Sequence, residues 1–408
     1  MSKPIIVQKY GGTSVGDAER IRNVAKRIIA AMKSGNDVVA VVSAPGKTTD
    51  KLMEMAYSIS ARPDERELDV LLATGEQQGI SLVAMAIKGM GCKAISFTGQ
   101  QVGIITDTTH NMARIKSIDT ATIFDALNAG NIVIVAGFQG ISENEDITTL
   151  GRGGSDLSAV ALASVLNAKE CQIYTDVEGV FTADPSKVPG AHKIDEISYD
   201  EMLELASAGA KVMNSRAMEV AKKFNVKLHV KSSLKEDSEG AGTVIKKETK
   251  DLEQVVVRGV TLDEDQVKMS LIGVPDKPGI AADIFGLLAD ENINVDMIIQ
   301  SSAYKSGIND ISFSINHQWL DKAKEILKKV KEKIKADELI IDEDVDKVSI
   351  VGVGMKSHAG VAARMFRVLA DNKINIEMIS TSEIKISCVV SKKKGKEALQ
   401  ALHKAFCE

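Results

Sequence analysis

Two stretches of this chain repeat each other: LADENINVDMIIQSS (288–302) and LADNKINIEMISTSE (369–383) align without a gap at a separation of 81 residues. Leu, Ala, Asp, Ile, Asn, Met, Ile and a Ser recur in register. Upstream, MSLIGVPDKPGIAADIF is related to VSIVGVGMKSHAGVAARMF, with Gly279 standing opposite Gly360 at the same separation. Chance does not keep such register over two segments, so the C-terminal part is a tandem duplication. Whatever fold one copy adopts, the other must adopt too.

Each copy reads strand, turn, helix, strand, strand, helix, the order of small ferredoxin-like modules. The first copy continues into a further strand near ELIIDEDV, whereas the second runs out at LQALHKAFCE. An unpaired sheet edge is a liability, so VVVRGV (255–260) is expected to complete the second module from its N-terminal side. The expected division is a domain over 1–247, an inserted module over 262–342, and a second module made of 248–261 with 343–408.

The N-terminal part reads differently. PIIVQKY, DVVAVVSA, CKAISFTG, NIVIVAGFQG, CQIYTDV and VKLHVKS read as strands, several apolar on both faces. Helical patterns lie between them, and two of these stop at Gly35 and Gly89. Strands alternating with helices predict an α/β domain with an open, mainly parallel sheet covered on both faces. From Ser232 the composition turns polar and charged, which reads as a domain edge followed by a linker.

Composition excludes several classes. A net charge of −5, with only the short SKKKGK as a lysine run, disfavours nucleic acid as a partner. Four scattered cysteines without a CxxC pair argue for free thiols, and six histidines lack metal-site spacing. The N-terminus has no leader pattern and no run reads as a membrane span. A cytoplasmic location with no membrane partner is the expectation.

Anions are the first ligands to consider, because glycine turns and helix N-termini offer free backbone N–H groups. SAPGKTTD (43–50) contains Gly-Lys-Thr, but a P-loop needs glycine where Val41 stands. KYGGTSVGD (9–17), ATGEQQG (73–79) and TTLGRGGSD (148–156) fit better. Each has a plain structural alternative: a Gly-Gly bend, an exposed helix carboxylate, and an N-cap at Ser155 beside a surface Arg152. Open α/β sheets bind ligands at the carboxyl ends of their strands, where these segments fall. No GxSxG elbow or nucleophile–base pair competes with them.

KYGGTSVG, VVSAPGKTTD, ATGE, GRGGSD and YTDVEGVFTADP, in this order and spacing, resemble the aspartate kinases of the amino-acid kinase fold. The paired C-terminal repeats resemble ACT regulatory domains, through DKPGIAA and through GMKSHAGV with ISTSEIKIS. The likeness covers essentially the whole chain. It implies ATP-dependent phosphorylation of the β-carboxylate of L-aspartate, with Mg2+ carried by the nucleotide and not by a protein metal site.

Carried over residue by residue, Lys9 would neutralise the transferring phosphoryl group, with Gly11 and Gly12 allowing the backbone close to it. Asp156 would organise the lysine. Ser43, Thr49, Glu76, Arg152 and Ser155 would hold aspartate, with Arg152 on its α-carboxylate and Glu76 facing its ammonium. Thr175, Asp176, Phe181 and Lys211 would contact the nucleotide. Two departures stand out: after TADP, where the family has an arginine, this chain has Ser186 followed by Lys187, and GAKVMNSR replaces a form with His-Pro. Lys187 is the candidate substitute for that nucleotide contact.

The resemblance also implies feedback control by lysine, threonine or both. Asp276, Gly279, Ala281, Gln300, Asn375 and Ile376 match threonine positions, while Asp296, Ser382 and Glu383 are candidates for a lysine site. Pairing of the modules predicts a homodimer, with a tetramer as the alternative. Two rival readings remain: a sister kinase for glutamate, N-acetylglutamate, carbamate or a nucleotide, and an inactive amino-acid sensor. An acceptor without an ammonium gives Glu76 no reason to be acidic. Intact Lys9, Glu76, Arg152 and Asp156 argue against the sensor.

Overall fold

The computed structural model describes residues 3–210, 212–235, 241–247, 256–301, 307–353, 355 and 360–408. They form two compact units: residues 1–181, 193–206 and 211–251, and residues 182–192, 207–210 and 252–408.

The first unit opens with β1 (Ile5–Tyr10), α1 (Ala18–Lys33) and β2 (Asp37–Val42), followed by two helices, α2 (Thr48–Ile59) and α3 (Glu65–Gly89). Next come β3 (Ala94–Phe97), β4 (Ile104–Thr106), β5 (Ile115–Ile118), α4 (Ala121–Asn128), β6 (Ile132–Ala136), β7 (Gln139–Ser142) and β8 (Ile147–Thr149). The remainder is α5 (Gly154–Val165), β9 (Glu170–Thr175), β10 (Glu196–Ser198), α6 (Tyr199–Ser207), α7 (Ser215–Phe224), β11 (Leu228–Ser232) and β12 (Thr243–Lys246). The main sheet has the order β10-β12-β11-β9-β1-β2-β6-β3. Its pairs are parallel except β11 with β12.

The β-branched runs of the adjacent strands β1, β2 and β6 are largely buried on both faces, as a covered parallel sheet requires. A side sheet, β5-β4-β7-β8, carries the chain from β6 into α5. Its strands of three or four residues were not apparent from the pattern, and neither was α2. TVIK, read above as part of a polar linker, is β12 and pairs with β11. Helix α3 runs through Gly89, and the left-handed residue that ends it is Gly91, at φ 80°. Among the described helices α3 alone is long and apolar enough to cross a bilayer, but half of its most apolar stretch is buried as a core helix.

The second unit contains β13 (Val256–Asp263), β14 (Gln266–Pro275), α8 (Ile280–Asp290), β15 (Val295–Gln300), β16 (Ile308–Asn316), α9 (Leu320–Ile334) and β17 (Glu338–Asp342). It continues with β18 (Val345–Val353), α10 (Val361–Asp371), β19 (Met378–Thr381), β20 (Lys385–Ser391) and α11 (Gly395–Phe406). Two four-stranded sheets result, β15-β16-β14-β17 and β13-β18-β20-β19. The duplication is visible in the backbone: Gly279 (φ 96°) and Gly360 (φ 108°) both stand left-handed before the first helix of their repeat.

Residues 182–192 belong to the second unit, although they lie well inside the stretch read as the first domain. Ala183 and Val188 are buried in one core with Val260, Leu262 and Leu402. Thr182 Oγ1 lies 2.8 Å from Nε2 of the fully buried His403, and the Thr182 carbonyl accepts from Val260 N–H at 2.7 Å.

Candidate active site

Lys9 is carried on β1, opposite Val41 of β2 and Ile173 of β9, so it stands near the carboxyl end of the sheet's central strand. Its Nζ is 2.7 Å from Asp156 Oδ1, with both side chains largely buried. Asp156 lies in the first turn of α5, an end of a helix that favours negative charge. Ser155, buried beside it, packs so closely on the end of β6 that a Cβ on Gly137 would lie 2.7 Å from its Oγ.

Glu76 reaches the same region through two close approaches. A Cβ on Gly79 would sit 2.6 Å from the Ser43 carbonyl oxygen, and one on Gly12 would sit 2.7 Å from the Ala44 carbonyl oxygen. The absence of side chains at Gly79 and Gly12 therefore lets α3 and the Gly-Gly loop both press on the Ser43–Ala44 segment. Glu76 Oε1 accepts from Ala44 N–H at 3.2 Å, while Oε2 has no hydrogen-bond partner among the described residues. The side chain is buried, 3% exposed, and burial pushes its carboxyl up to about 7. Gly79→Ala should cost about 1–3 kcal/mol by overpacking against the Ser43 carbonyl. A chemical denaturation curve checks this.

Arg152 is exposed, and among the described residues no carboxylate pairs with its guanidinium. Its loop is nonetheless fixed from beneath. Asn214 Nδ2 donates to the Arg152 carbonyl at 2.7 Å, and Arg216 donates to the carbonyls of Leu150 (2.6 Å) and Ala113 (2.7 Å). Burial lowers the Arg216 pKa from its ordinary value. Neither residue was singled out for a role above; the available signal was the NSRA helix start, where Asn214 also caps α7.

Ser43 and Thr49 flank this region, at the end of β2 and in the first turn of α2. Thr175 ends β9, and its hydroxyl donates to Asp176 Oδ1 at 3.0 Å. Phe181 closes that segment of the first unit by bridging to Lys193. Lys211 lies outside the described residues. Lys187, the candidate substitute for a nucleotide contact, is part of the second unit, with its Nζ 2.5 Å from Glu264.

In the second unit, Asp276, Gly279 and Ala281 share the turn that opens α8, and Asp276 Oδ1 accepts from Asn309 Nδ2 at 3.1 Å. Gln300 ends β15, and Asn375 and Ile376 precede β19. Asp296 is paired with the buried Lys347, which also stands 3.5 Å from Asp263. Ser382 and Glu383 form the turn between β19 and β20, where Ser382 N–H donates to the Lys385 carbonyl at 2.8 Å.

A parallel sheet with glycine loops and a lysine–carboxylate pair at its carboxyl edge defines the class. This is a kinase of the amino acid kinase family, which matches residues 4–232, followed by ACT domains matched at 270–332 and 348–406. An aspartokinase of Mycolicibacterium smegmatis is 47% identical over 406 residues, spanning 98% of this chain and 96% of that protein. The chain belongs to the aspartokinase family. E. coli aspartokinase III in complex with aspartate and ADP (R-state) shares the fold, with a TM-score of 0.82 at 24% identity, covering 99% of this chain and 100% of that one. The same enzyme in complex with lysine and aspartate (T-state) gives 0.75 at 25% identity, with the same coverage.

Proposed function

We propose that this chain transfers the γ-phosphoryl group of ATP to the β-carboxylate of L-aspartate. The observation that carries the reading is Glu76, a buried acid with one oxygen unpartnered among the described residues, set against the Ser43–Ala44 segment on which the Gly11–Gly12 loop also presses. A buried carboxylate calls for a cation, and the ammonium of an amino-acid substrate is such a cation. Arg152, without a carboxylate partner among the described residues and on a braced loop, supplies a planar fork for the α-carboxylate, and Ser43, Thr49 and Ser155 line the approach.

The acceptor needs no general base, because a carboxylate with a reference pKa of about 3.9 is already ionised at neutral pH. The remaining demand is positioning and charge neutralisation. Lys9 meets the phosphoryl oxygens while Asp156 holds its ammonium in place. Thr175, Asp176 and Phe181 fit the nucleotide side. Mg2+ bound to the ATP phosphates would offset further charge there.

The ACT modules are read as the seat of feedback inhibition by lysine, threonine or both. For assembly, Ile298 on β15 and Ile379 on β19 occupy equivalent positions of the two repeats, and both are exposed, 55% and 41%. Each lies on an edge strand of its sheet, which suits a homodimer formed through these modules. Trapping the acyl phosphate with hydroxylamine tests the reaction. Hydroxamate should form from L-aspartate and ATP, and lysine plus threonine should suppress it. Turnover with another acid but not with aspartate would move the chain to a sister kinase.

A further inference from the structure

Asp69 is fully buried, yet it is a carboxylate and the chemistry above does not use it. It lies on α3 seven residues before Glu76, two helical turns along the same face. Four polar contacts converge on it. Thr149 Oγ1 donates to Oδ1 at 2.5 Å, Asn111 N–H lies 3.2 Å from Oδ1 and 3.1 Å from Oδ2, and His110 Nδ1 is 2.8 Å from Oδ2.

Those partners belong to the frame of the arginine loop. Thr149 ends β8, three residues before Arg152, and its carbonyl accepts from Ala113 N–H at 2.9 Å. Asn111 is left-handed at φ 63°, which brings its carbonyl to 3.0 Å from where a Cβ on Gly151 would stand. One buried carboxylate thus ties together the helix that carries Glu76, the 110–113 segment and the root of the loop that carries Arg152.

We propose that Asp69 is a positioning residue for the acceptor amino acid, holding Arg152 at a set distance from Glu76 so that the two ends of one small zwitterion are read together. The proposal rests on the reading of those two residues given above. A charged acceptor suits the task because charge-assisted hydrogen bonds are short and strong and tolerate little displacement. Misplacement by about 1 Å is enough to cost as much as ~100-fold in rate.

The test is steady-state kinetics on Asp69→Asn in the full chain, with Thr149→Val and Thr149→Ser as companions less prone to misfold. Asp69→Asn should raise KM for aspartate by about tenfold or more while KM for ATP stays within about twofold. Thr149→Val should shift KM for aspartate in the same direction, and Thr149→Ser, which keeps the hydroxyl, should restore it. Hydrogen exchange reads the frame independently of the acceptor: amides of residues 150–155 should exchange faster in Asp69→Asn, with 12–16 unchanged. A folded Asp69→Asn protein with unaltered exchange at 150–155 would overturn the proposal. So would equal changes in both KM values. If exchange changes as expected but wild type makes no hydroxamate from aspartate, the acceptor assignment fails and the positioning role stands.

Discussion

Replacing Lys9 by methionine is expected to lower kcat by about 1000-fold or more, the scale set by removing a cation from the charge that develops in phosphoryl transfer. Methionine keeps most of the buried stem, so the loss isolates the charge. Arginine should fail as well. The Lys9 ammonium is a compact charge held 2.7 Å from Asp156, and a longer planar guanidinium cannot place its charge at the same point. Lys9→Met also leaves Asp156 buried without its cation, which destabilises the fold. Adding Asp156→Asn should recover stability without recovering turnover. Steady-state kinetics beside denaturation curves separate the two effects. A folded Lys9→Met protein within tenfold of wild-type kcat would remove Lys9 from the reacting centre.

Glu76→Gln should abolish a pH dependence that the wild type shows. The carboxyl titrates near 7 in the folded chain against an ordinary 4.5, with burial as the main cause. A raised folded pKa stabilises the protein fully below pH 4.5, and that contribution is lost as pH rises through 7. The shift corresponds to about 3 kcal/mol, so ligand-free Glu76→Gln should be the more stable protein at pH 8 by up to that amount. The advantage should vanish near pH 4.

Aspartate binding should run the other way. The substrate ammonium favours ionised Glu76, so wild-type affinity should rise roughly tenfold per pH unit up to about 7 and then level off. In Glu76→Gln the affinity should be weaker by about 10- to 100-fold at pH 8, the range for losing a charged hydrogen bond, and flat with pH. Calorimetric titration at several pH values decides it. A wild-type affinity that does not change between pH 5.5 and 7.5 would take Glu76 away from the ammonium.

Much of the architecture was legible because it rests on local pattern. Apolar runs with β-branched residues marked the central strands, and the 81-residue register marked the two modules. What escaped notice was short or dependent on a partner. Strands β4 and β8 have three residues each and exist because neighbours in the side sheet satisfy them. TVIK is polar in its surroundings and becomes a strand by pairing with β10 on one side and β11 on the other. Residues 182–192 read as part of the first domain because they sit between its elements in sequence, yet Ala183 and Val188 fill the other unit's core.

The sequence by itself determined that a duplicated tail follows an α/β domain, and which charged and glycine residues stand at strand ends. Only the tertiary structure decided how those charges are used. Asp156 comes to Lys9 from far along the chain, and Glu264 comes to Lys187 in the same way. Glu76 and Asp69 lie on one face of one helix, but among the described residues one has an oxygen without a partner and the other has both oxygens engaged. Pairing and desolvation depend on distance and burial in three dimensions, and periodicity along the chain carries neither.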